Sequence, residues 1–257
     1  ILSKLKQYSL SGINQQITDL KVLFVEIDSA VYYDTTKVTN IEDLKSRITN
    51  TLTTFKKSSI NKFGGRFKYS KVCQVIDDVD SAITSNITRV LIRRNLKALI
   101  NTYAQYELCY GNKFYYIDAG FNIKSTGFKI AGSNDICYFT DTPRDDGTGV
   151  ISIVKEAQEE GKNTVVTKSA GTVDYIKGEI IINTVNITST VEPNNIIEIQ
   201  AVPESNDVIG LSDLYLDFSV SKSAINMIKD TITSGEQISG IGYKTTSSYL
   251  NGELKRI

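Results

Sequence analysis

The sequence contains no histidine. Histidine is the side chain most often used as an acid or base near neutral pH, so its absence excludes Ser-His-Asp and Cys-His catalytic arrangements. The three cysteines, Cys73, Cys109 and Cys137, are widely spaced, form no CxxC pair and have no histidine to complete a zinc site. We therefore predict plain buried thiols in a reducing compartment.

Net charge and long apolar runs are absent as well. Lysine and arginine total 29 and aspartate and glutamate total 29, so no global field attracts nucleic acid, anionic membranes or acidic substrates. The longest apolar runs, near residues 22–25 and 179–182, have the length of strands and fall far short of a bilayer span. We predict a soluble protein with no membrane partner. Because Ile1 is not a start methionine and no leader pattern follows it, we also expect no secretory signal and a missing N-terminal part.

Carboxylates are the remaining candidates for acid-base chemistry. They cluster at Asp77, Asp78 and Asp80 and again at Asp145 and Asp146. The first cluster follows the end of a predicted helix, where acids interact unfavourably with the helix dipole, so a loop or surface role is favoured. The second cluster precedes a glycine in a pattern typical of a hairpin turn.

Two loop motifs fail on their spacing. The segment 141–149 superficially resembles a calcium loop, but an EF-hand starting at Asp141 needs glycine at its sixth position and glutamate at its twelfth, where this chain has Asp146 and Ser152. The pair Gly64–Gly65 lacks the spacing of a phosphate-binding loop. We therefore predict no catalytic, cofactor-binding or metal-binding residues, no cofactor and no enzymatic activity.

Basic residues of the first half form a candidate patch for nucleic acid. Its members are Arg89, Arg93, Arg94, Lys97, Lys56, Lys57, Lys62 and Arg66. In a strand, Arg89 and Arg93 share one face while Arg94 lies on the other, so the patch is not one continuous stripe. We predict a solvated face or a protein contact, and no nucleic-acid partner. The 14 tyrosines favour cross-strand packing first and protein interfaces second.

The first half predicts a strand, two helices and a second strand. Alternation over residues 20–34 places Leu23, Val25 and Ile27 on one side and acids, including Glu26, on a wetter side. Apolar residues then recur at helical spacing, at Ile41, Leu44, Ile48, Leu52 and Phe55, and Thr39 with Glu42 has the pattern of a capping box. A second helix is predicted near residues 70–78 and a strand near 83–94. Both helices are expected on one face of the sheet.

From residue 102 onward the pattern changes to short β-rich runs. The pairs Gly111–Asn112, Asp146–Gly147 and Lys177–Gly178 indicate hairpin turns between them. The fold class predicted is α+β, a small strand-helix-helix-strand unit followed by a mostly antiparallel β-rich domain. The predicted domains are 1–98, 99–220 and an extended Ser/Thr/Gly-rich tail at 221–257. Within that tail, we expect residues 231–249 to be ordered only against a neighbour.

Six segments together resemble a family. They are AVYYDTTKV (30–38), FGGRFKYSKVCQVIDDVD (63–80), SNITRVLIRR (85–94), AGTVDYIKGEIIIN (170–183), IIEIQAVPESNDVIGLSDLYL (196–216) and TITSGEQISGIGYKTTSSYLNGE (231–253). In order and spacing they resemble the C-terminal part of the baseplate wedge subunit called gene product six of T4-like contractile-tailed phages. The first unit also resembles the C-terminal module of the baseplate J family.

The resemblance implies a structural virion protein of the tail baseplate, assembled in the cytoplasm of the host bacterium. Members of this family are not enzymes; they associate with themselves and with other wedge proteins, and copies from six wedges close a ring around the central hub. By this resemblance we expect the chain to self-associate, most simply as a dimer. The alternative is a nucleic-acid or glycan binding module of a phage particle. A carboxylate enzyme is disfavoured by the motifs that fail above.

Overall fold

The computed structural model describes residues 20–156 and 163–230, together with two short strands at 249–250 and 253–254. Its α-helices are α1 (Ile41–Phe55) and α2 (Tyr69–Asp77). Its strands are β1 (Val22–Tyr33), β2 (Lys62–Phe63), β3 (Arg66–Phe67), β4 (Ile83–Lys97), β5 (Tyr103–Cys109), β6 (Lys124–Ser125), β7 (Phe128–Ile130), β8 (Cys137–Pro143), β9 (Thr148–Glu156), β10 (Asn163–Asp174), β11 (Glu179–Thr190), β12 (Ile196–Ala201), β13 (Val208–Ile209), β14 (Tyr215–Phe218), β15 (Ala224–Lys229), β16 (Tyr249–Leu250) and β17 (Glu253–Leu254).

The predicted α+β class is wrong for the chain as a whole. About 50% of residues lie in strands and 17% in helices, and five strands close into a barrel, so the fold is β-dominated. The α+β prediction weighted the two amphipathic helices of the first hundred residues too heavily. The strands after β4 outnumber those helices, and most of them continue the same sheet.

Helix α1 forms where its sequence pattern places it. Leu44, Ile48 and Leu52 are fully buried, one helical turn apart, in the same core cluster as the inward side chains of β1. The predicted capping box is wrong in its cap residue. The N-cap is Asn40 rather than Thr39, and its side chain accepts hydrogen bonds from the backbone N–H groups of Glu42 and Asp43 at 3.0 and 3.3 Å.

Strand β1 lies between strands from distant parts of the chain. One edge pairs antiparallel with β4 over ten register positions from Phe24 to Tyr33. The other edge pairs in parallel with β14 over Val22–Val25 and with β15 over Asp28–Tyr33. Strand β15 lies inside the segment predicted as an extended tail, and the prediction for residues 231–249 lies outside the described residues except for the backbone at Tyr249.

The five-stranded barrel consists of β7, β8, β9, β10 and β11. Each neighbouring pair in this ring is antiparallel, and the pairing of β7 with both β8 and β11 closes it. Phe128 and Phe139 stack inside, with ring centroids 4.4 Å apart. Strands β12 and β6 join the barrel to β4, so the barrel and the β1–β4 region belong to one continuous sheet.

The glycine turns predicted as hairpins are confirmed at two places and wrong at the third. Gly147 and Gly178, with φ of +78° and +69°, lie in the turns that join β8 to β9 and β10 to β11. At Gly178 an added Cβ would lie 1.9 Å from the backbone oxygen of Asn112, so only glycine fits. Gly111 also has positive φ, but β5 pairs with β11, and no strand follows as its hairpin partner among residues 112–123.

Candidate assembly interface

The outer face of the β1–β4 pair carries an exposed surface of mixed apolar and charged residues. Asp28 lies directly opposite Arg89 in the strand register, and Ala30 lies directly opposite Ile87. We call these four residues the outer patch. Ile87 is 57% exposed, and Asp28 and Arg89 are exposed as well. Ile87 is therefore an exposed apolar side chain with charged groups beside it on the same face.

A groove of about 560 Å³ lies over the outer patch. Its floor is formed by the patch together with Asn226 and Ile228 of β15. Its wall is formed by Tyr115 and by residues 202–206, which continue from β12 along the side of β4. The groove therefore combines apolar floor residues with charged and amide groups.

The charged side chains that line the groove differ in whether they have hydrogen-bond or ion-pair partners. Asp28 accepts a hydrogen bond of 3.0 Å from the side-chain amide of Asn226, and Glu204 lies 3.7 Å from the ammonium group of Lys113. Arg89 has no hydrogen-bond or ion-pair partner among the described residues. The guanidinium group is therefore available to an acidic group supplied from outside.

A buried ion network lies further along the same outer face. The Nε of Arg93 donates to Glu26 at 2.5 Å, and its guanidinium also contacts Glu198 at 2.8 Å. Glu26 accepts a second hydrogen bond of 2.7 Å from Gln200, and Lys222 lies 2.5 Å from Glu198. Both Glu26 and Arg93 are 4% exposed. The network ties β1, β4 and β12 together, and it overturns the prediction that Glu26 lies on a wetter face.

The candidate basic residues do not form one continuous stripe, as predicted. Arg93 is held in the ion network, and Arg94 is buried on the opposite face, where it donates to the backbone oxygen of Cys109. Burial lowers the pKa of Arg94, and its Nε has no hydrogen-bond partner among the described residues. Lys56 pairs with Asp217 at 3.5 Å. Three of the candidate basic residues are thus engaged in separate contacts inside the molecule.

The predicted candidate carboxylates perform structural tasks. Asp80 accepts from the backbone of Ala82 at 2.8 Å and from Arg47 at 2.7 Å, and these bonds lower its pKa. Asp77 accepts from Asn86 at 2.7 Å, and Asp78 is the C-cap of α2. Asp146 accepts from the backbone and hydroxyl of Thr148, which lowers its pKa and fixes the β8–β9 turn.

Asp141 is the one acid of the failed calcium motif that lies in the interior. It is 1% exposed and accepts from the backbone N–H of Ile123 at 2.7 Å and from the hydroxyl of Tyr175 at 2.5 Å. Burial raises the pKa of Asp141 despite these bonds, and burial next to this carboxylate raises the pKa of Tyr175. The pair connects β8 to the end of β10 inside the molecule.

The cysteines and tyrosines differ among themselves in how deeply they are buried. The cysteines are free; Cys137 is buried as predicted, whereas Cys73 and Cys109 are only half-buried, and burial raises the pKa of all three thiols. Tyr110 is fully buried and donates to the backbone of Ile199 at 2.8 Å, while Tyr103 is 71% exposed. The tyrosines thus divide between the core and the surface.

Metal ligands and membrane spans are two further features that bear on binding. Among the described residues, no group of three or more histidine, cysteine, aspartate or glutamate side chains is placed to hold a metal ion. Within the same residues, the helices are too short or too polar to cross a membrane.

Comparison with known proteins gives a family match for the first unit. No curated protein matches the chain. Residues 21–95 match the family described as baseplate structural protein gp6, C-terminal domain III. The matched segment runs from β1 through most of β4, so it contains all four residues of the outer patch and both partners of the Glu26–Arg93 ion pair. This match supports a gp6-class structural protein of the virion tail baseplate.

Proposed function

We propose that this chain is a structural subunit of a baseplate wedge in a T4-like contractile tail, and that it has no enzymatic activity. In this role it associates with itself and with other wedge proteins and joins neighbouring wedges in a ring around the hub. The observation that carries the proposal is the match of residues 21–95 to a baseplate structural family. The six segments that resemble gene product six extend the likeness beyond the matched residues.

The strand pairing around β1 would resist mechanical separation of the sheet. Strand β1 is hydrogen-bonded along both edges, and the Glu26–Arg93–Glu198 network joins three strands side by side. Pulling any one of these strands out of the sheet would break ladder hydrogen bonds and expose buried charges at the same time.

We also propose that the chain divides into the units 1–98, 99–220 and 221–257, and that the first unit is related to the baseplate J family.

A complementation experiment tests the proposed role. A stop codon is introduced into the phage gene that encodes this chain, and a tagged copy is supplied from a plasmid during infection. We expect tails without functional baseplates when the copy is absent, and tagged baseplates when it is present, seen by electron microscopy and by detection of the tag in purified particles. Normal infectious particles that lack the chain would refute a structural role.

A binding experiment addresses the alternative of a nucleic-acid module. The purified chain is passed over immobilised double-stranded DNA at about 50 and 200 mM salt, because phosphate contacts weaken steeply with salt. We expect no retention at either concentration. Retention at low salt that is lost at high salt, combined with absence from baseplates, would favour the nucleic-acid module instead.

A further inference from the structure

We propose that two copies of this chain pack face to face through the outer patch, with Arg89 of each copy against Asp28 of the other. The inference rests on the self-association included in the proposed function, and it assigns that contact to one surface. Three features of this surface favour it: an exposed Ile87, an Arg89 without a partner in the described part of the chain, and an oppositely charged residue in the same strand register.

The strand register makes this face complementary to itself. Asp28 is level with Arg89 and Ala30 is level with Ile87, on two adjacent antiparallel strands. A two-fold axis that runs parallel to the strands, midway between β1 and β4, exchanges the two strands without changing the level of any residue. Each Arg89 then faces the other copy's Asp28, and each Ile87 faces the other copy's Ala30, as an isologous contact requires.

Charge favours this arrangement over contact with an unrelated surface. Within one copy Arg89 and Asp28 are neighbours but form no ion pair, since Asp28 bonds to Asn226 instead. Across the axis two reciprocal ion pairs would form, and both would flank the apolar Ile87 and Ala30. Opposite charges placed in this way fix the register of an interface and exclude partners with the wrong pattern.

The wall of the groove fits the same rotation. The sheet order is β15, β1 and β4, with residues 202–206 beyond β4 on the side of β12. Rotation about the axis reverses this order, so the wall of each copy lies over β15 of the other. Asn226 and Ile228, which line the groove on β15, would then be covered by a segment that contains Pro203 and Glu204.

Reciprocal charge reversal tests the proposal on the 257-residue chain. The variants are Arg89→Asp and Asp28→Arg, measured by sedimentation equilibrium alone and as an equimolar mixture. Alone, each variant places like charges across the axis, and we expect dimerisation to weaken at least tenfold. In the mixture, positions 28 and 89 are both acidic in the first variant and both basic in the second. Opposite charges then meet at both contacts, so we expect a heterodimer at least as tight as the wild-type dimer.

Matched controls separate this surface from general charge effects. Arg66→Asp on β3 and Glu107→Arg on β5 change exposed charges away from the patch, and we expect both to dimerise like the wild type. Circular dichroism and thermal unfolding check that each variant is folded. If the charge variants do not fold, Ile87→Lys changes a side chain that is 57% exposed and should also prevent dimerisation.

The outcomes distinguish the proposed surface from the proposed function. A dimer that persists in folded Arg89→Asp and Asp28→Arg, or a mixture that fails to pair, overturns the surface and leaves self-association in place. A wild-type chain that stays monomeric at high concentration overturns both the surface and the self-association. Incorporation into baseplates, measured by complementation, remains an independent readout of the structural role.

Discussion

Arg93 is the residue on which the outer face of the sheet depends most. It contacts Glu26 on β1 and Glu198 on β12, and its guanidinium lies 4.2 Å from the centroid of the Phe24 ring. Because both Arg93 and Glu26 are 4% exposed, water cannot replace a lost partner. A buried ion pair of this kind adds little net stability when intact, yet it is costly to break from one side.

We expect Arg93→Met to lower the free energy of unfolding by about 3–5 kcal/mol, because Glu26 would be left buried without its main partner. Urea denaturation followed by circular dichroism measures the loss. The double variant Arg93→Met with Glu26→Leu should recover most of it, because no unpaired charge then remains. Arg47→Met, which removes exposed ion pairs with Asp43 and Asp80, serves as control. A loss in Arg93→Met no larger than in this control would contradict the assigned role.

The Asp141–Tyr175 pair makes stability depend on pH. The pKa of Asp141 is raised in the folded state above its ordinary value of 3.8, so the folded protein holds this proton more tightly than the unfolded chain does. Its contribution to stability is therefore fully present below about pH 4 and is lost as pH rises through the raised pKa. The acids with lowered pKa, such as Asp80 and Asp146, contribute in the opposite direction.

We expect Asp141→Asn to remove this part of the pH dependence. Its amide can accept from the backbone of Ile123 and donate to the hydroxyl of Tyr175, so both contacts survive without a buried charge. The measurement is the difference in unfolding free energy between wild type and variant from pH 4 upward. The wild type should lose stability relative to the variant as pH rises. A difference that stays constant over this range, or that moves the other way, would show that Asp141 is not held with a raised pKa.

Among the elements, α1 is the one whose sequence pattern and packing agree best. Ile48 is fully buried, one helical turn from Leu44 and from Leu52. We expect Ile48→Ala to lower the free energy of unfolding by about 2–5 kcal/mol, through lost apolar burial and the cavity left behind. Thr51→Ala, on the exposed side of the same helix, is the matched control. Equal unfolding midpoints for the two variants would contradict this packing.

Sequence patterns predicted individual helices and strands better than they predicted which residues from elsewhere in the chain pack against them. Helical spacing identified α1, and alternation identified the inward side chains Leu23, Val25 and Ile27 of β1. The same alternation placed Glu26 on a wetter face, because a period of two cannot show that Arg93 and Gln200 will cover it. Those two partners lie 67 and 174 residues away in the chain. The N-cap differed by a single residue, since Asn40 and Thr39 are both suitable cap types.

At the scale of the whole molecule, the order in which the strands pair could not be predicted from the sequence. Short β-rich runs and glycine turns predicted antiparallel pairs, but closure of the barrel depends on which strands meet over long distances, as β7 does with both β8 and β11. The outer patch shows the same limit. Arg89 was noted as basic and Ile87 as a strand residue, but only the register shows that Arg89 lies opposite Asp28 and Ile87 opposite Ala30.

The parallel pairing of β1 with β14 also has a consequence during synthesis. Val22 pairs with Tyr215, so the second edge of β1 can be paired only after residues about 190 positions later in the chain have been synthesised. At about 5–20 residues per second, this interval lasts roughly 10–40 s. Once β4 has been made, β1 can pair with it but keeps one unpaired edge, which is a template for pairing with another chain. The segment 21–95 is therefore synthesised well before the strands that complete its sheet.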